Sequence, residues 1–495
     1  MKKTNRILLA SGLMLALATP ALAEIKFSGF YRLMAYSGEI KDVDSQDNDS
    51  RQIIDQRFRA QVTNTLNDNV SITYQAEIDT VWGGSVPGGG GNGGAFDTDG
   101  VNVETKHIYL DLKEGDTSAR IGLQTYGDEF QGLVGFADMA GITVKHKIGN
   151  TSIGLLYSKW DENDADGDNA NTTALAASGV NNAGSDWDDT DFYGVTISQK
   201  ISDSFKAGAA VYYLDSNDVT DTRANIVTGL PGMDRTAFAD HGDGEVWFYG
   251  VTADAKFGDI GVDGFVLYQR GSVDFDNRWD GGVAAAGINK KDQSSQAWAA
   301  SAKATMKLAN GNIGVRGIFI TDDESNNDNE YWLGSFGEYD FVNENQMIFL
   351  TDKFVCNWGK ERYAMDDAAR AGYGLWAIVL SGNHTLPNNM YANWGLGYYS
   401  TQDNERDDQM VVNAKGDLEE VRTNGKVLGW EADVRVGKKF FEKVDVSLNA
   451  AYADFGSFYA DTTEQNNDIP ANGVTRGSSA PDSIYKAYLM VNVPF

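Results

Sequence analysis

The sequence predicts an all-β fold, a closed antiparallel transmembrane β-barrel of about 18 strands. Three observations carry the prediction. The chain opens with an export signal, the rest alternates apolar and polar residues with a period of two, and its connections alternate between short turns and long acidic segments.

Lys2, Lys3 and Arg6 make a basic start, Ile7 to Ala18 a short apolar run, Pro20 a break, and Ala21-Leu22-Ala23 a cleavage sequence of the A-x-A kind. That run is too short to cross a bilayer as a helix, which needs ~20 residues. Residues 1–23 are therefore expected to be removed, and 24–495 to form one barrel domain. Without Lys2, Lys3 and Arg6 the chain keeps 38 basic against 71 acidic side chains, a net −33. Such acidity argues against a nucleic-acid partner, which needs a basic footprint. At 42% hydrophobic and 11% aromatic residues the chain is too apolar to stay disordered. Cys356 is the only cysteine, so no intrachain disulfide can form. Nothing after residue 23 is apolar over a helix-spanning length, so a membrane crossing must be made by strands. Those strands must close on themselves, because an open edge would leave backbone groups unpaired in hydrocarbon.

The alternation places strands near 25–36, 51–63, 70–82, 103–113, 118–125, 140–148, 152–160, 191–201 and 204–214. Nine more are expected near 245–257, 260–270, 295–308, 312–321, 370–383, 389–400, 426–440, 443–455 and 482–495. In the last, Tyr485, Ala487, Leu489, Val491, Val493 and Phe495 share one face and Lys486, Tyr488, Met490 and Asn492 the other. Likewise Trp247, Tyr249, Val251, Ala253, Ala255 and Phe257 oppose Thr252, Asp254 and Lys256, and Leu428, Trp430, Ala432, Val434 and Val436 oppose Glu431, Asp433 and Arg435. Segments of ~10 residues alternating this way are what a lipid-facing strand requires. Short turns such as Glu114–Thr117, Gly258–Asp259 and Phe441–Glu442 alternate with long Asp/Asn/Gly-rich segments at 161–190, 215–244, 271–294, 401–425 and 456–481. Barrels show this asymmetry between periplasmic turns and outer loops, and with both termini periplasmic the strand number is even. Residues 322–369 are ambiguous, because Tyr331-Trp332-Leu333 and Met347-Ile348-Phe349-Leu350 fit either another hairpin or an inward-folded loop. That admits 16 to 20 strands. A soluble sandwich also alternates, but would expose whole rows of Trp, Tyr, Leu and Val. Trp82, Trp160, Trp247, Trp298, Trp376, Trp394 and Trp430 fall within or at the ends of these strands, where interfacial girdles sit.

With these features together, the chain resembles a Gram-negative outer-membrane porin over essentially all of 24–495. The export signal, the hairpin layout and the terminal strand Tyr485–Phe495 carry the resemblance, as does the start Ile25-Lys26-Phe27-Ser28-Gly29-Phe30-Tyr31-Arg32. The resemblance implies passive diffusion of ions and small hydrophilic solutes, a homotrimer, contact with outer-membrane lipid and lipopolysaccharide, and insertion by the barrel-assembly machinery with Phe495 as the recognition signal. It also implies that the loop after the fifth strand, 127–138, folds inward and constricts the pore. That stretch lacks the family's usual Pro-Glu-Phe-Gly-Gly string.

Alternation assigns the pore-lining rows. Arg57 and Arg59 share a row with Asp55, Gln61 and Thr63, while Ile54, Phe58, Ala60 and Val62 face lipid. Arg32, Lys26, Arg120, Lys145, Lys147, Lys200, Lys206, Lys256, Lys303, Lys307, Arg316, Arg435 and Lys486 are further basic positions of the wall. Acidic ones are Glu77, Asp79, Asp111, Asp254, Asp263, Glu431, Asp433 and Asp445. Lys or Arg facing lipid would cost roughly 2–4 kcal/mol near mid-membrane. The wall leans basic, so most of the acid lies in the loops. Arg32, Arg57, Arg59 and Arg120 facing Asp128, Glu129 and Asp138 would set a transverse field at the constriction.

No catalytic residue, cofactor or metal site is expected. Glu162, Asp164, Asp166, Gly167 and Asp168 resemble the opening of a Ca²⁺ loop without its closing Glu. Gly88 to Gly100, with Asp97 and Asp99, has no regular Ca²⁺ repeat, so weak Ca²⁺ binding by acidic loops is the one metal reading left open. The alternatives to general diffusion are a sugar- or anion-selective channel, an outer-membrane barrel enzyme, or a barrel sheathing a cytochrome. His107, His146, His241 and His384 lie in no G-x-S-x-G or H-E-x-x-H context. No C-x-x-C-H is present to attach haem.

Overall fold

The computed structural model describes residues 24–41, 48–84, 94–95, 101–161, 190–216, 242–275, 293–322, 332, 345–350, 363–364, 368–369, 372–412, 418–422, 425–459 and 483–495. Residues 1–23, expected to be an export signal, lie outside them, as do Cys356, Tyr331, Leu333 and the acidic stretches 88–93, 96–100 and 162–168.

Twenty strands occur among the described residues: β1 (Glu24–Lys41), β2 (Asn48–Asn67), β3 (Val70–Val81), β4 (Glu104–Glu114), β5 (Thr117–Gly127), β6 (Phe136–Ile148), β7 (Thr151–Asp161), β8 (Thr190–Ser202), β9 (Phe205–Ser216), β10 (Gly242–Phe257), β11 (Ile260–Phe275), β12 (Gln293–Leu308), β13 (Gly311–Ile320), β14 (Leu375–Leu386), β15 (Met390–Ser400), β16 (Glu405–Val412), β17 (Leu418–Arg422), β18 (Val427–Phe440), β19 (Val444–Phe455) and β20 (Ser483–Pro494). All but β16 and β17 form one 18-stranded sheet in which each strand pairs antiparallel with its neighbours. β1 also pairs with β20, from Phe30↔Pro494 to Gly38↔Lys486, and this closes the barrel. β16 and β17 form a separate hairpin inside the stretch expected to be the 401–425 loop. The fourteenth barrel strand starts at Leu375 rather than 370. Among the described residues no helix is long and apolar enough to cross a membrane.

The short turns are made by residues that tolerate left-handed backbone. Gly115, Gly149 and Gly258 sit at φ 55°, 59° and 65°, and Asn388 and Asn389 at 62° and 60°. The turn after β18 places Phe441 and Glu442 there instead, at 49° and 65°, where a bulky residue is an outlier. β1 and β2, at 18 and 20 residues, outrun the 9–11 needed to cross a bilayer, so they project beyond it.

Exposure follows the alternation. Phe27, Ile72, Ile108, Val195, Val251, Phe257, Trp298 and Leu448 are exposed on the outer face, while their sequence neighbours point into the barrel. Leu428 departs from its expected outer row: it is fully buried. The β15–β18 register jumps there, pairing Tyr399 with Gly429 and Ser400 with Val427, so Leu428 is the extra residue of a bulge.

The interior is partly filled. Trp332, Met347, Ile348, Phe349, Leu350, Tyr363, Ala364, Ala368 and Ala369 are buried, so the described parts of 322–369 fold inward and add no hairpin. They share one buried cluster with apolar inner-row residues of β8–β14, among them Phe192, Tyr212, Phe248, Leu267, Ile318, Ile320, Leu375 and Val379, and the Trp332 ring meets Phe248 there.

Candidate functional site

The loop between β5 and β6 is built on one side chain. Asp128 is half-buried and accepts four backbone amides of its own loop: Phe130 (2.6 Å) and Gly132 (3.0 Å) on Oδ1, Val134 (2.6 Å) and Gly135 (2.7 Å) on Oδ2. Burial pushes its carboxyl up to about 6 against the pull of those amides, which favour the carboxylate. The expectation that Asp128 offers charge to the pore is therefore corrected: its lone pairs are spent on closing the loop. The loop's apolar residues point into the barrel. Phe130, Leu133 and Val134 are completely buried, and the Phe130 ring packs edge-on against Tyr212 at 6.1 Å and Phe265 at 5.7 Å. A Cβ at Gly250 would lie 2.3 Å from Phe130, so only glycine leaves room for that ring. Glu129, by contrast, is exposed, with its backbone amide on the Tyr212 hydroxyl (3.3 Å).

A second inward segment meets the first and is clamped by charge. Trp332 Nε1 donates to the Leu133 carbonyl at 3.3 Å and its ring lies 5.6 Å from Phe248. Glu431, on the inner row of β18, is fully buried and accepts the successive amides of Met347 (2.6 Å), Ile348 (2.7 Å) and Phe349 (2.8 Å). Lys486 of β20, 1% exposed, donates to the Met347 carbonyl at 3.0 Å. Gln346 bridges Asp433 (2.8 Å) and the Tyr399 hydroxyl (2.7 Å). Glu431, Asp433 and Lys486 are legible in the sequence as wall charges, but their role as anchors is not. A hint was available: apolar residues on both faces of 246–249, 318–320 and 375–380 mean that the inside of the wall is covered there.

The polar wall lies opposite in sequence, on β2–β6. Arg57 holds Asp79 with two bonds, Nε–Oδ1 2.7 Å and Nη2–Oδ2 2.6 Å, and reaches Glu77 at 3.4 Å. Arg59 pairs with Glu77. The expected pair of open cations is therefore a neutralised quartet of two arginines and two carboxylates, fixed by the register Arg57↔Asp79 and Arg59↔Glu77. Arg32 lies opposite Arg57 in register and is buried. Arg120 forks onto Asp111 (2.8 and 3.1 Å) and stacks 3.9 Å over the Tyr109 ring.

Asp138 alternates with the buried Met139 and shares its parity with the exposed Thr125. Its carboxylate is taken by Lys106, His107 (3.0 Å) and Thr125 (2.7 Å), so it faces local partners rather than the arginines of β2. The bulge between Gln75 and Ala76 in the β3–β4 register helps bring Lys106 and His107 to one carboxylate. Thr125 and Asp138 both contact Nε2 of His107, at 2.8 and 3.0 Å. A hydrolytic relay would divide nucleophile and carboxylate between the two ring nitrogens. No group of three His, Cys, Asp or Glu able to hold a metal occurs among the described residues.

Phe495 closes the seam. Its amide and carbonyl exchange bonds with Gly29 at 3.0 and 3.1 Å, and its ring stacks 5.7 Å from Phe58.

No protein-family model matches the chain, and no curated protein sequence matches it. Solved structures do resemble it. They include OccK8 (OprE) of Pseudomonas aeruginosa (12% identity, 95% of this chain and 98% of that one, TM-score 0.50) and OccAB1 of Acinetobacter baumannii (11%, 95% and 96%, 0.50). The outer membrane protein OpdK of Pseudomonas aeruginosa is similar at 10% identity, over 95% and 98% of the two chains, with TM-score 0.51. The chain therefore has the fold of an 18-stranded, porin-like outer-membrane barrel.

Proposed function

We propose that this barrel is an outer-membrane channel through which ions and small hydrophilic solutes diffuse passively. The observation that carries the reading is the division of its two faces. The outer face presents rows of apolar and aromatic side chains to lipid, whereas charged residues on β2–β6 line an interior narrowed by two inward-folded segments. A soluble protein has no use for the first arrangement, nor a closed structural plug for the second.

In this reading residues 1–23 are a cleaved export signal, the barrel-assembly machinery reads the strand ending at Phe495, and three copies assemble among lipopolysaccharide. The wall charges act in pore selectivity, with Glu129 supplying the exposed acid of the inward loop, and no step of the function is enzymatic. A solute-selective channel is the second reading, favoured by the apolar packing that restricts one side of the interior. Purified protein in planar bilayers should give stepwise ohmic conductance, and proteoliposomes should swell in small sugars. Absence of both from folded, heat-modifiable barrel would refute the channel.

A further inference from the structure

We propose that a gap in the barrel wall between β6 and β7 is a lateral pocket for a small uncharged apolar solute, entered from the outer leaflet rather than from the pore. The proposal holds whether or not the barrel conducts. β5 and β6 stay paired up to Gly127↔Phe136, whereas the β6–β7 ladder reaches only Ala140↔Lys159. Beyond that pair β6 runs on through Met139 to Phe136 and β7 through Trp160 to Asp161, with no register between the two. A cavity of about 330 Å³ lies there, lined among others by Tyr126, Phe136, Asp138, Met139, Ala140 and Trp160, and its size suits a small ligand. Successive residues of a strand point to opposite faces, and this cavity takes both: Asp138, Ala140 and Lys159 from outer rows, Met139 and Trp160 from inner ones. It therefore sits within the thickness of the wall. Register keeps the lining contiguous, with Gly127↔Phe136, Tyr126↔Ala137 and Thr125↔Asp138 in succession and Ala140↔Lys159 as the floor. On the pore side Tyr126 and Trp160 both pack on the Phe192 ring, at 6.2 and 4.5 Å, and back the gap. A Cβ at Gly127 would stand 2.8 Å from the Phe136 ring, so glycine there lets that ring form one side.

The lining selects the ligand. Asp138 is held by Lys106, His107 and Thr125, and Lys159 stands opposite Asp191 in register. An ionic ligand would shed its water for groups that already have counter-charges, at a net cost. The remaining surface is aromatic rings, Met139 and two alanines, and apolar cavities take apolar molecules. Position selects the source. Tyr157 and Tyr193, exposed rings 5.3 Å apart, lie two residues below the pair Lys159↔Asp191, and such rings mark the headgroup boundary. Acyl chains run from that level toward the midplane and away from the gap, whereas small apolar solutes dissolved in the bilayer reach its mouth.

The test is fluorine NMR of the 5-fluorotryptophan-labelled barrel in lipid nanodiscs, with the Trp160 resonance identified as the one lost in Trp160→Phe. Toluene should shift that resonance saturably, while Trp298, half-exposed on the outer face, should drift only in proportion to toluene dissolved in the lipid. Benzoate and benzylammonium, the same ring with a charge, should leave Trp160 in place. Ala137→Leu, which fills the cavity, and Ala140→Phe, which blocks its lipid-facing mouth, should each abolish the saturable shift in a barrel that remains heat-modifiable. No shift at Trp160, a non-saturating shift matching that of Trp298, an equal response to the charged rings, or a shift retained in both variants would overturn the proposal. Nanodiscs with doxyl-labelled acyl chains separate the two apolar sources. Broadening of Trp160 beyond that of Trp298 that toluene fails to relieve would place a lipid chain in the gap and refute the solute pocket.

Discussion

Replacing Glu431 with Gln should free the inward segment without opening the barrel. In the native chain both carboxylate oxygens work: Oε1 takes the amides of Met347 and Ile348, and Oε2 that of Phe349. The substituted side chain would keep one carbonyl for the first two and turn an NH₂ toward the third, a donor facing a donor. Bonds to a charged acceptor contribute ~1.5–3 kcal/mol and neutral ones ~0.5–1.5, and a buried amide left unmet costs ~1–3. Weakening two and losing one sums to roughly 3–6 kcal/mol, reduced by the desolvation cost of the carboxylate that the substitution removes. Backbone pairing of β18 with β15 and β19 does not involve the side chain, so barrel yield and heat resistance should hold. Two readouts follow: amide exchange at Met347–Phe349 should accelerate by two orders of magnitude or more, and single-channel current should become noisier or larger. Unchanged exchange at those three amides in a well-folded variant would refute the clamp.

Other substitutions probe the remaining contacts. Arg57→Gln with Arg59→Gln leaves Asp79 and Glu77 without their cations, so reversal potential should move toward cation preference. The shift should shrink as the Debye length falls from ~10 Å at 0.1 M salt to ~3 Å at 1 M, and unaltered selectivity would mean the quartet lies off the conduction path. Asp128→Asn withdraws an acceptor from two of four loop amides and should cost ~2–4 kcal/mol of loop stability, visible as protease cleavage within 128–135; resistance equal to the native chain would count against it. Deleting Phe495 removes two backbone bonds to Gly29 and the contact with Phe58. Outer-membrane yield should fall several-fold with export across the inner membrane unaffected, and wild-type yield would show that the seam and its recognition do not depend on this residue.

Much of the wall was determined by the sequence alone. Period-2 alternation is local, and it placed all 18 barrel strands and put Arg57, Arg120, Glu431 and Lys486 on the inner face, because side chains one residue apart must point to opposite sides of a closed sheet. The bulge at Leu428 escaped it, since an extra residue shifts the parity without any signature in composition. The interior was decided by tertiary structure. Whether Arg57 and Arg59 are open cations depends on which carboxylates the register sets opposite them, and Asp128 reads as a pore charge until its loop closes around it. Trp332 meets Leu133 across 199 residues, Lys486 holds Met347 across 139, and Glu431 holds it across 84. No local period encodes such contacts: they exist only once the ring of strands has closed and brought distant inner rows around a shared interior.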